Sequence, residues 1–175
     1  MKICYNQLGG IFMNNIVEAT IEIPMGTKNK YEIDKERNRI KLNRVQFASM
    51  TYPAEYGYIE NTLERDGDPL DILVLTTEPT FPGCIIDAKI VGVLKTIDNG
   101  YEDNKIIAVN HTDPRFDDIE ELSDIKEHTL SEIKHFFKNY KTLQNIEVQV
   151  FDYSNKEEAL EILKVCQNRF KEKQK

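Results

Sequence analysis

The chain has 175 residues, of which 40% are hydrophobic and 30% charged, and its formal net charge is −7 at pH 7. This length corresponds to one domain with one core, and the composition excludes collagen-like and low-complexity chains. The negative charge disfavours a nucleic-acid or membrane partner, because the basic residues are scattered and anionic partners repel an acidic surface.

The sequence contains no sign of export or of a membrane span. No apolar run approaches the ~18 residues needed to cross a bilayer, and the first fifteen residues contain one Lys and no small-residue cleavage pattern. Cys4, Cys84 and Cys166 are far apart and lack CxxC spacing, which argues against a disulfide scaffold and a zinc site. We therefore expect a cytoplasmic protein with reduced thiols.

Residues 17–110 are predicted to form short strands separated by turns. Alternating and β-branched apolar residues predict strands at 18–23, 30–34, 39–42, 71–75, 85–97 and 105–109. In the second of these, alternation puts Lys30 and Glu32 on the same face. Asp-Gly, Pro-Gly and Asn-Gly pairs supply turns between strands.

The C-terminal part of the chain is predicted to be helical. One helical face carries Leu130, Ile133, Phe136, Phe137 and Tyr140. A capping box from Ser154 to Glu157 predicts the start of a second helix. Strands followed by helices indicate a single α+β domain, in which helices pack against a small antiparallel sheet or barrel.

The densest acidic segment is Asp66-Gly-Asp-Pro-Leu-Asp71, which we call the first acidic loop (residues 66–71). Its three carboxylates repel one another unless a cation compensates them. Oxygen ligands without His or Cys nearby suit Mg²⁺ or Mn²⁺. An EF-hand is excluded by spacing, because Asp71 stands where that loop needs Gly and Thr77 where it needs Glu. An ordinary solvated turn is the alternative.

A second acidic loop (residues 98–103) joins two predicted strands and runs from Asp98 to Asp103, two residues before Lys105. Taken alone it also fits an ordinary exposed turn. If both loops meet at one end of a barrel, their carboxylates form a cage for several Mg²⁺ ions. Several Mg²⁺ ions are useful chiefly for phosphoryl chemistry.

Possible anion-binding groups stand near the predicted strand and helix ends. The cations are Lys30, Arg44 and Lys141, and the hydroxyl donors are Tyr52, Tyr56 and Tyr140. Each taken singly is more often a solvated charge or a packed ring. The three histidines, His111, His128 and His135, are expected to be packing or contact residues rather than metal ligands.

These motifs resemble the family I soluble inorganic pyrophosphatases in their short bacterial form. The residues from Asp66 to Ile72 are similar to the family's specific signature, Asp-x-Asp-Pro-φ-Asp-φ, and the segments at 52–58 and 135–141 accompany it. The similarity runs from about residue 17 to the C-terminus. It implies an N-terminal extension at 1–16, a pyrophosphatase domain at 17–175, and Met13 as a candidate start.

The resemblance implies a five-stranded OB-like β-barrel flanked by helices. It also implies hydrolysis of inorganic pyrophosphate to two phosphates by a metal-activated water, with several Mg²⁺ ions per site and Mn²⁺ as a substitute. A homo-oligomer, commonly a hexamer in bacteria, is the implied assembly. From the residues alone, a two-metal phosphodiesterase or nuclease and a non-catalytic OB-fold binding module stay open, although the net charge weighs against the latter.

Residue roles carried over from the family divide into three groups. The metal ligands are Asp66, Asp71 and Asp103 for the tighter ion, with Asp71 bridging to a second, Asp98 and Asp103 for a third, and Glu32 partly through water. The catalytic residues are the general base Asp68 with Tyr56, Lys30 and Arg44. The substrate-binding residues are Lys30, Glu32, Arg44, Tyr56, Lys105, Tyr140 and Lys141, supported by Glu22 and Tyr52.

One residue departs from the family pattern. Many bacterial members carry a second acid directly after the first Asp of the second acidic loop, where this chain has Asn99. The change removes one negative charge near the third metal. We expect weaker binding of that ion and an unaffected pair of ions around the nucleophile.

Overall fold

The computed structural model describes residues 15–34, 37 and 39–175. This part of the chain forms strands β1 Ile16–Ile23, β2 Asn29–Asp34, β3 Arg39–Val45, β4 Glu55–Ile59, β5 Asp71–Leu75, β6 Ile85–Asp98, β7 Tyr101–Glu102, β8 Lys105–Asn110 and β9 Gln149–Ser154. The helices are α1 Glu127–Asn139 and α2 Lys156–Lys173, with short 3-10 turns at Pro114–Phe116, Leu122–Asp124 and Thr142–Gln144. Of the predicted N-terminal extension, residues 1–14, with Met13 and Cys4, lie outside the described residues, and the domain boundary stays a prediction.

Five strands pair in a closed ring. Strand β1 pairs with β4, β4 with β5, β5 with β8, β8 with β6, and β6 returns to β1. Strand β6 has 14 residues and is therefore long enough for several partners. It pairs with β1 near its start and with β7 and β9 near its end. This ring with two helices confirms the predicted α+β fold with a five-stranded OB-like sheet.

The β5–β8 pair differs from the antiparallel sheet expected from the sequence, because these two strands are parallel. Both strands are buried on both faces, as near-continuous apolar runs in parallel pairs usually are. Their first residues, Asp71 and Lys105, are direct register partners. The parallel pairing therefore sets a carboxylate beside an ammonium at one edge of the ring.

Two apolar layers lie on opposite faces of these strands. Ile72 and Ile106 belong to the layer that packs against α2, whereas Leu73 and Ile107 belong to the layer that packs against α1. On α1 the predicted apolar face is confirmed: Leu130 is half-buried, and the others are buried, namely Ile133, Phe136, Phe137 and Tyr140. Cys166 is buried in the α2 layer, and Cys84 packs against that layer.

Three strands were not predicted from the sequence, namely β4, β7 and β9; the two-residue β7 lies within the second acidic loop. Most of β4 lies in the segment at 52–58, and Gly57 is required there because a Cβ would lie 1.9 Å from the Thr20 carbonyl oxygen of β1. Strand β9 lies in the region predicted to be helical and pairs with β6.

The predicted capping box was wrong by one residue. Ser154 ends β9, and the Asn155 side chain accepts a hydrogen bond from the Glu158 backbone N–H at 3.1 Å. Asn155 is therefore the N-cap of α2. Among the described residues, no helix has both the length and the apolar character to span a bilayer.

Candidate active site

Lys105 joins carboxylates from the two acidic loops. Lys105 is only 1% exposed. Its Nζ donates to Asp71 Oδ2 at 2.5 Å and to Asp103 Oδ1. Burial lowers the pKa of Lys105, but the carboxylates of Asp71 and Asp103 together raise it above its ordinary value. The ammonium therefore stays charged and holds the two carboxylates side by side.

Aromatic residues pack around this lysine. The Lys105 Nζ lies 5.9 Å from the ring centroid of Tyr56 and 6.0 Å from that of Phe137. The Tyr56 hydroxyl donates to the same Asp71 oxygen that Lys105 contacts. Burial raises the pKa of Tyr56, and the neighbouring carboxylates of Asp71 and Asp103 raise it further. Tyr56 is therefore a protonated hydrogen-bond donor at neutral pH.

The predicted hydroxyl donors Tyr52 and Tyr140 lie in the same aromatic layer. The ring centroids of Tyr52 and Tyr56 are 5.2 Å apart, and those of Tyr140 and Phe137 are 5.4 Å apart. Burial raises the pKa of both Tyr52 and Tyr140. These hydroxyls also stay protonated, so they can donate hydrogen bonds to an anion.

The first acidic loop presents two of its three carboxylates to solvent. Asp66 and Asp68 are exposed, and the Asp68 backbone N–H donates to Asp66 Oδ1 at 3.0 Å. The Asp68 carbonyl in turn accepts from the Glu64 N–H at 2.8 Å. The Asp68 main chain is thus held by the Asp66 side chain and by the Glu64 N–H, while Asp68 itself remains accessible to water.

The second acidic loop is a tight hairpin in which Asp98 and Asp103 are largely buried, whereas Glu102 is exposed. Asn99 and Gly100 have φ angles of +49° and +83°, as a two-residue type I′ turn requires and as Asn-Gly favours. The side chains of Asp98 and Asp103 are only 12% and 14% exposed. Lys141 donates to Asp98 Oδ2, and burial raises the pKa of Asp103.

Strands β2 and β3 carry cations toward the same region. Lys30 and Arg44 are direct register partners and half-buried, and Lys30 Nζ lies 4.0 Å from Glu32 Oε1, on the shared face predicted from the alternation. On β1, burial raises the pKa of Glu22 to about 7; Lys30 lowers this pKa, and acids including Asp71 raise it. Glu22 is therefore electrostatically coupled both to this pair of strands and to the first acidic loop.

The structure adds an acid that the sequence analysis did not single out. Glu64 is buried, and one of its carboxylate oxygens lies within 4.8 Å of oxygens from both Asp66 and Asp103. Burial raises the pKa of Glu64 to about 9, with Asp71 and Asp103 raising it and Lys105 lowering it. Its position two residues before Asp66 was the only signal in the sequence.

The donor set fits a hard divalent cation. All the acids that converge here offer oxygen ligands, which Mg²⁺ and similar ions prefer. In addition, Asp98 Oδ1 is buried and has no hydrogen-bond partner among the described residues, which is costly unless something else satisfies it. The cluster of Glu64, Asp66 and Asp103 could therefore hold a metal ion.

Hydrogen bonds join the predicted acids Asp71, Asp98 and Asp103 to predicted donors, namely Tyr56, Lys105 and Lys141, whereas the histidines lie elsewhere. Every predicted ligand or anion-binding residue lies on one of the elements just described, and their individual roles stay predictions. His111, His128 and His135 are exposed. His128 lies on α1, with its Nε2 3.7 Å from Glu132 Oε1.

Comparison with known proteins identifies the family. The model of the Inorganic pyrophosphatase family matches residues 19–171. The chain is 56% identical over 156 residues to an inorganic pyrophosphatase from Halalkalibacterium halodurans, covering 89% of this chain and 96% of that one. It is 52% identical over 161 residues to that of Geobacillus stearothermophilus, covering 92% and 98%.

A solved structure has the same fold. The inorganic pyrophosphatase from Thermus thermophilus superposes with a TM-score of 0.88 at 40% identity, covering 93% of this chain and 95% of that chain. These matches cover nearly the whole chain, and the family match at residues 19–171 spans both acidic loops. The chain belongs to the inorganic pyrophosphatase family.

Proposed function

We propose that this chain hydrolyses inorganic pyrophosphate to two phosphates with Mg²⁺, for which Mn²⁺ can substitute. One observation carries the proposal: in a member of this family, carboxylates from two separate acidic loops converge on Lys105 at the edge where β5 and β8 begin. The proposed metal ligands are Asp66, Asp71, Asp98, Asp103 and Glu32. When bound, such ions supply charge compensation for the substrate and lower the pKa of a coordinated water.

Asp68 is the proposed general base. Its residue is exposed at the first acidic loop, and its main chain is fixed by hydrogen bonds to Asp66 and Glu64. A carboxylate held in this way can accept a proton from the attacking water as the phosphorus–oxygen bond forms. No covalent bond between enzyme and substrate is needed.

The cations and hydroxyls of the site are proposed to bind phosphate oxygens. Lys30 and Arg44 stand opposite each other on β2 and β3, and Lys141 Nζ lies 5.3 Å from the Tyr140 ring centroid. Together with the hydroxyls of Tyr56 and Tyr140, these groups stabilise negative charge that develops on the leaving phosphate.

Lys105 contributes differently because it is buried beneath Asp71 and Asp103. We propose that it acts mainly by holding these two carboxylates in place, with Glu22 and Tyr52 as supporting residues in the same site. The homo-oligomeric state, with a hexamer implied by the resemblance, and the cytoplasmic location stay predictions.

A Mg²⁺-dependent phosphate-release assay tests the proposed function. We expect release from pyrophosphate and none from nucleotides or DNA. Hydrolysis of nucleotides or DNA would instead support a phosphodiesterase or nuclease, and no hydrolysis of any of them would support a binding module. In parallel, Asp71→Ala should lose metal binding in titration calorimetry, whereas Asp118→Ala, at an exposed carboxylate outside the site, should bind as the parent chain does.

A further inference from the structure

Glu64 connects the two acidic loops. Glu64 is only 5% exposed, whereas the next four residues, 65–68, are exposed. Its Oε1 accepts a hydrogen bond at 3.3 Å from the backbone N–H of Asn104, which directly follows the second acidic loop. Its own backbone N–H donates to the Asp68 carbonyl at 2.8 Å. A single residue thus holds one loop through its side chain and the other through its main chain.

Both contacts lie beside residues of the proposed metal site. Asn104 stands between Asp103 and Lys105, and the Asp68 carbonyl lies between Asp66 and Asp71 along the chain. Carboxylate oxygens of Glu64, Asp66 and Asp103 lie within 4.8 Å of one another. A displacement of the Glu64 side chain would therefore change how Asp66 and Asp103 face each other.

Helix α2 fixes Glu64 from the other side. The Leu63 N–H donates to the Cys166 carbonyl at 3.0 Å, and Arg169 Nη1 donates to the Leu63 carbonyl at 2.7 Å. The residue before Glu64 is thus bonded to α2 through both of its main-chain polar groups. This anchoring limits the movement of Glu64 relative to the ring of strands.

Thr96 holds the main chain of Asp103 independently of Glu64. The Asp103 backbone N–H donates to the Thr96 carbonyl at 3.0 Å, and the Thr96 hydroxyl donates to the Asp103 carbonyl. Asn104 is held by Glu64 one residue later. Two separate hydrogen-bonding partners, Thr96 and Glu64, therefore hold consecutive residues of the segment that carries the Asp103 carboxylate.

We propose that Glu64 is a positioning residue, which holds Asp66 and Asp103 in the arrangement that binds a shared divalent cation. The proposal rests on the metal-ligating roles of Asp66 and Asp103 in the proposed function. In this role Glu64 acts through the hydrogen bond that its Oε1 accepts from the Asn104 N–H, and the Gln variant separates this role from direct ligation by the same carboxylate, which lies close to Asp66 and Asp103. Partners that orient metal ligands in this way contribute about 10- to 100-fold to metal affinity.

Two substitutions separate positioning from ligation. Glu64→Met removes the acceptor at similar side-chain length, whereas Glu64→Gln keeps an acceptor oxygen but cannot ionise to a metal-ligating carboxylate. Mn²⁺ alone is titrated into each full-length protein by calorimetry, and thermal unfolding is followed in EDTA. We expect about tenfold weaker Mn²⁺ binding in Glu64→Met and near-parental binding in Glu64→Gln. Glu161→Ala, at an exposed acid on α2, is the matched control and should bind Mn²⁺ as the parent does.

Each remaining outcome overturns the proposal. Parental Mn²⁺ affinity in Glu64→Met, with or without a lowered melting temperature, would mean that Glu64 is merely structural. Equal losses in the Met and Gln variants would mean that its charge ligates the ion. If Glu64→Met does not fold, Glu64→Ala provides the same comparison. A parent chain that binds no Mn²⁺ would overturn the metal ligands of the proposed function as well, which separates that failure from failure of the Glu64 role alone.

Discussion

The two acidic loops present their carboxylates in opposite ways. In the first acidic loop, Asp66 and Asp68 are exposed and fixed mainly by main-chain hydrogen bonds. In the second, Asp98 and Asp103 are mostly buried, and each is bonded to a lysine, Lys141 and Lys105 respectively. The first loop thus leaves Asp66 and Asp68 available to water, whereas the second neutralises Asp98 and Asp103 within the protein and leaves only Glu102 exposed.

This difference follows from the cost of burying charge. An exposed carboxylate keeps its hydration, whereas a buried one needs a counter-charge or a bound cation to offset its desolvation. Asp71 is the point where the two arrangements meet, because it ends the first loop and shares Lys105 with Asp103. The exposed loop is therefore suited to proton transfer with water, and the buried loop to fixing the geometry of the site.

The largest expected effect comes from neutralising the exposed base. Asp68→Asn should lower turnover about 10²- to 10⁴-fold, the contribution typical of a general base. The melting temperature and the metal affinity should change little, because Asp68 is exposed and its main-chain contacts are retained. Steady-state phosphate release, thermal unfolding and calorimetry measure the three quantities.

An exposed acid outside the site provides the control for Asp68→Asn. Asp118→Asn should keep parental turnover, melting temperature and metal affinity. Parental turnover in Asp68→Asn would remove Asp68 as the base, and a large loss of metal affinity would make it a ligand.

A substitution of Lys105 tests the neutralisation of the buried carboxylates Asp71 and Asp103. Lys105→Met keeps packing against Tyr56 and Phe137 but leaves Asp71 and Asp103 without their shared cation. We expect a loss of about 3 kcal/mol in the free energy of unfolding measured by urea titration in EDTA. With Mn²⁺ present, the loss should be smaller, because a bound cation replaces the missing charge.

An exposed ion pair serves as the control for Lys105→Met. Lys134 pairs with the nearly fully exposed Asp152 at 2.6 Å, so Lys134→Met should cost less than about 1 kcal/mol. Equal losses for the two lysine variants would show that the buried ammonium does not stabilise the pair of loops.

The sequence predicted which acids would converge but not the contact that joins them. Asp71 and Lys105 are adjacent because they begin parallel strands, whereas an antiparallel sheet was expected from the sequence. In the sheet, β8 lies between β5 and β6, parallel to β5 and antiparallel to long β6. Pairing partners so distant in sequence depend on the whole ring and leave no local pattern.

Glu64 and β9 were missed for related reasons. Glu64 is buried because the segment before the first acidic loop lies against α2, and nothing in its immediate sequence indicates that packing. Strand β9 is short and mostly polar on its exposed positions, so its pairing with β6 determines its structure. By contrast, the α1 face was predictable because 3.6-residue periodicity is a local signal.

Glu22, which is electrostatically coupled to Asp68 and Asp71 of the first acidic loop, should make stability depend on pH. Its folded-state pKa of about 7 lies above its ordinary value of 4.5, with burial as the main cause. The unfolded chain therefore loses this proton first as the pH rises, so metal-free protein should lose stability between about pH 4.5 and pH 7. The contribution of Glu22 to this loss is about 2–3 kcal/mol.

Replacing Glu22 isolates that contribution. Glu22→Gln should remove this part of the stability loss when urea unfolding in EDTA is compared at pH 4.5 and pH 8. Glu18→Gln, at an exposed acid on the same strand, should keep the parental pH dependence. If both variants follow the parent, Glu22 does not carry a proton that folding retains.

The smallest expected effect concerns the residue that departs from the family pattern. Asn99→Asp adds one negative charge to the second acidic loop, which should lower the Mg²⁺ concentration for half-maximal activity about two- to fivefold, since the charge acts largely through water. Stability should change little, because Asn and Asp both tolerate the positive φ of +49° at this position.

Asn61→Asp makes this test specific to the second acidic loop. Asn61 is also exposed and has a φ of +58°, but it lies in the turn after β4. Both variants carry the same net charge. A shift in the Mg²⁺ response confined to Asn99→Asp would therefore mean that the added carboxylate acts on an ion at Asp98 and Asp103. An equal shift in both variants would assign the effect to overall charge, and no shift in either would mean that Asn99 does not weaken binding of the third metal.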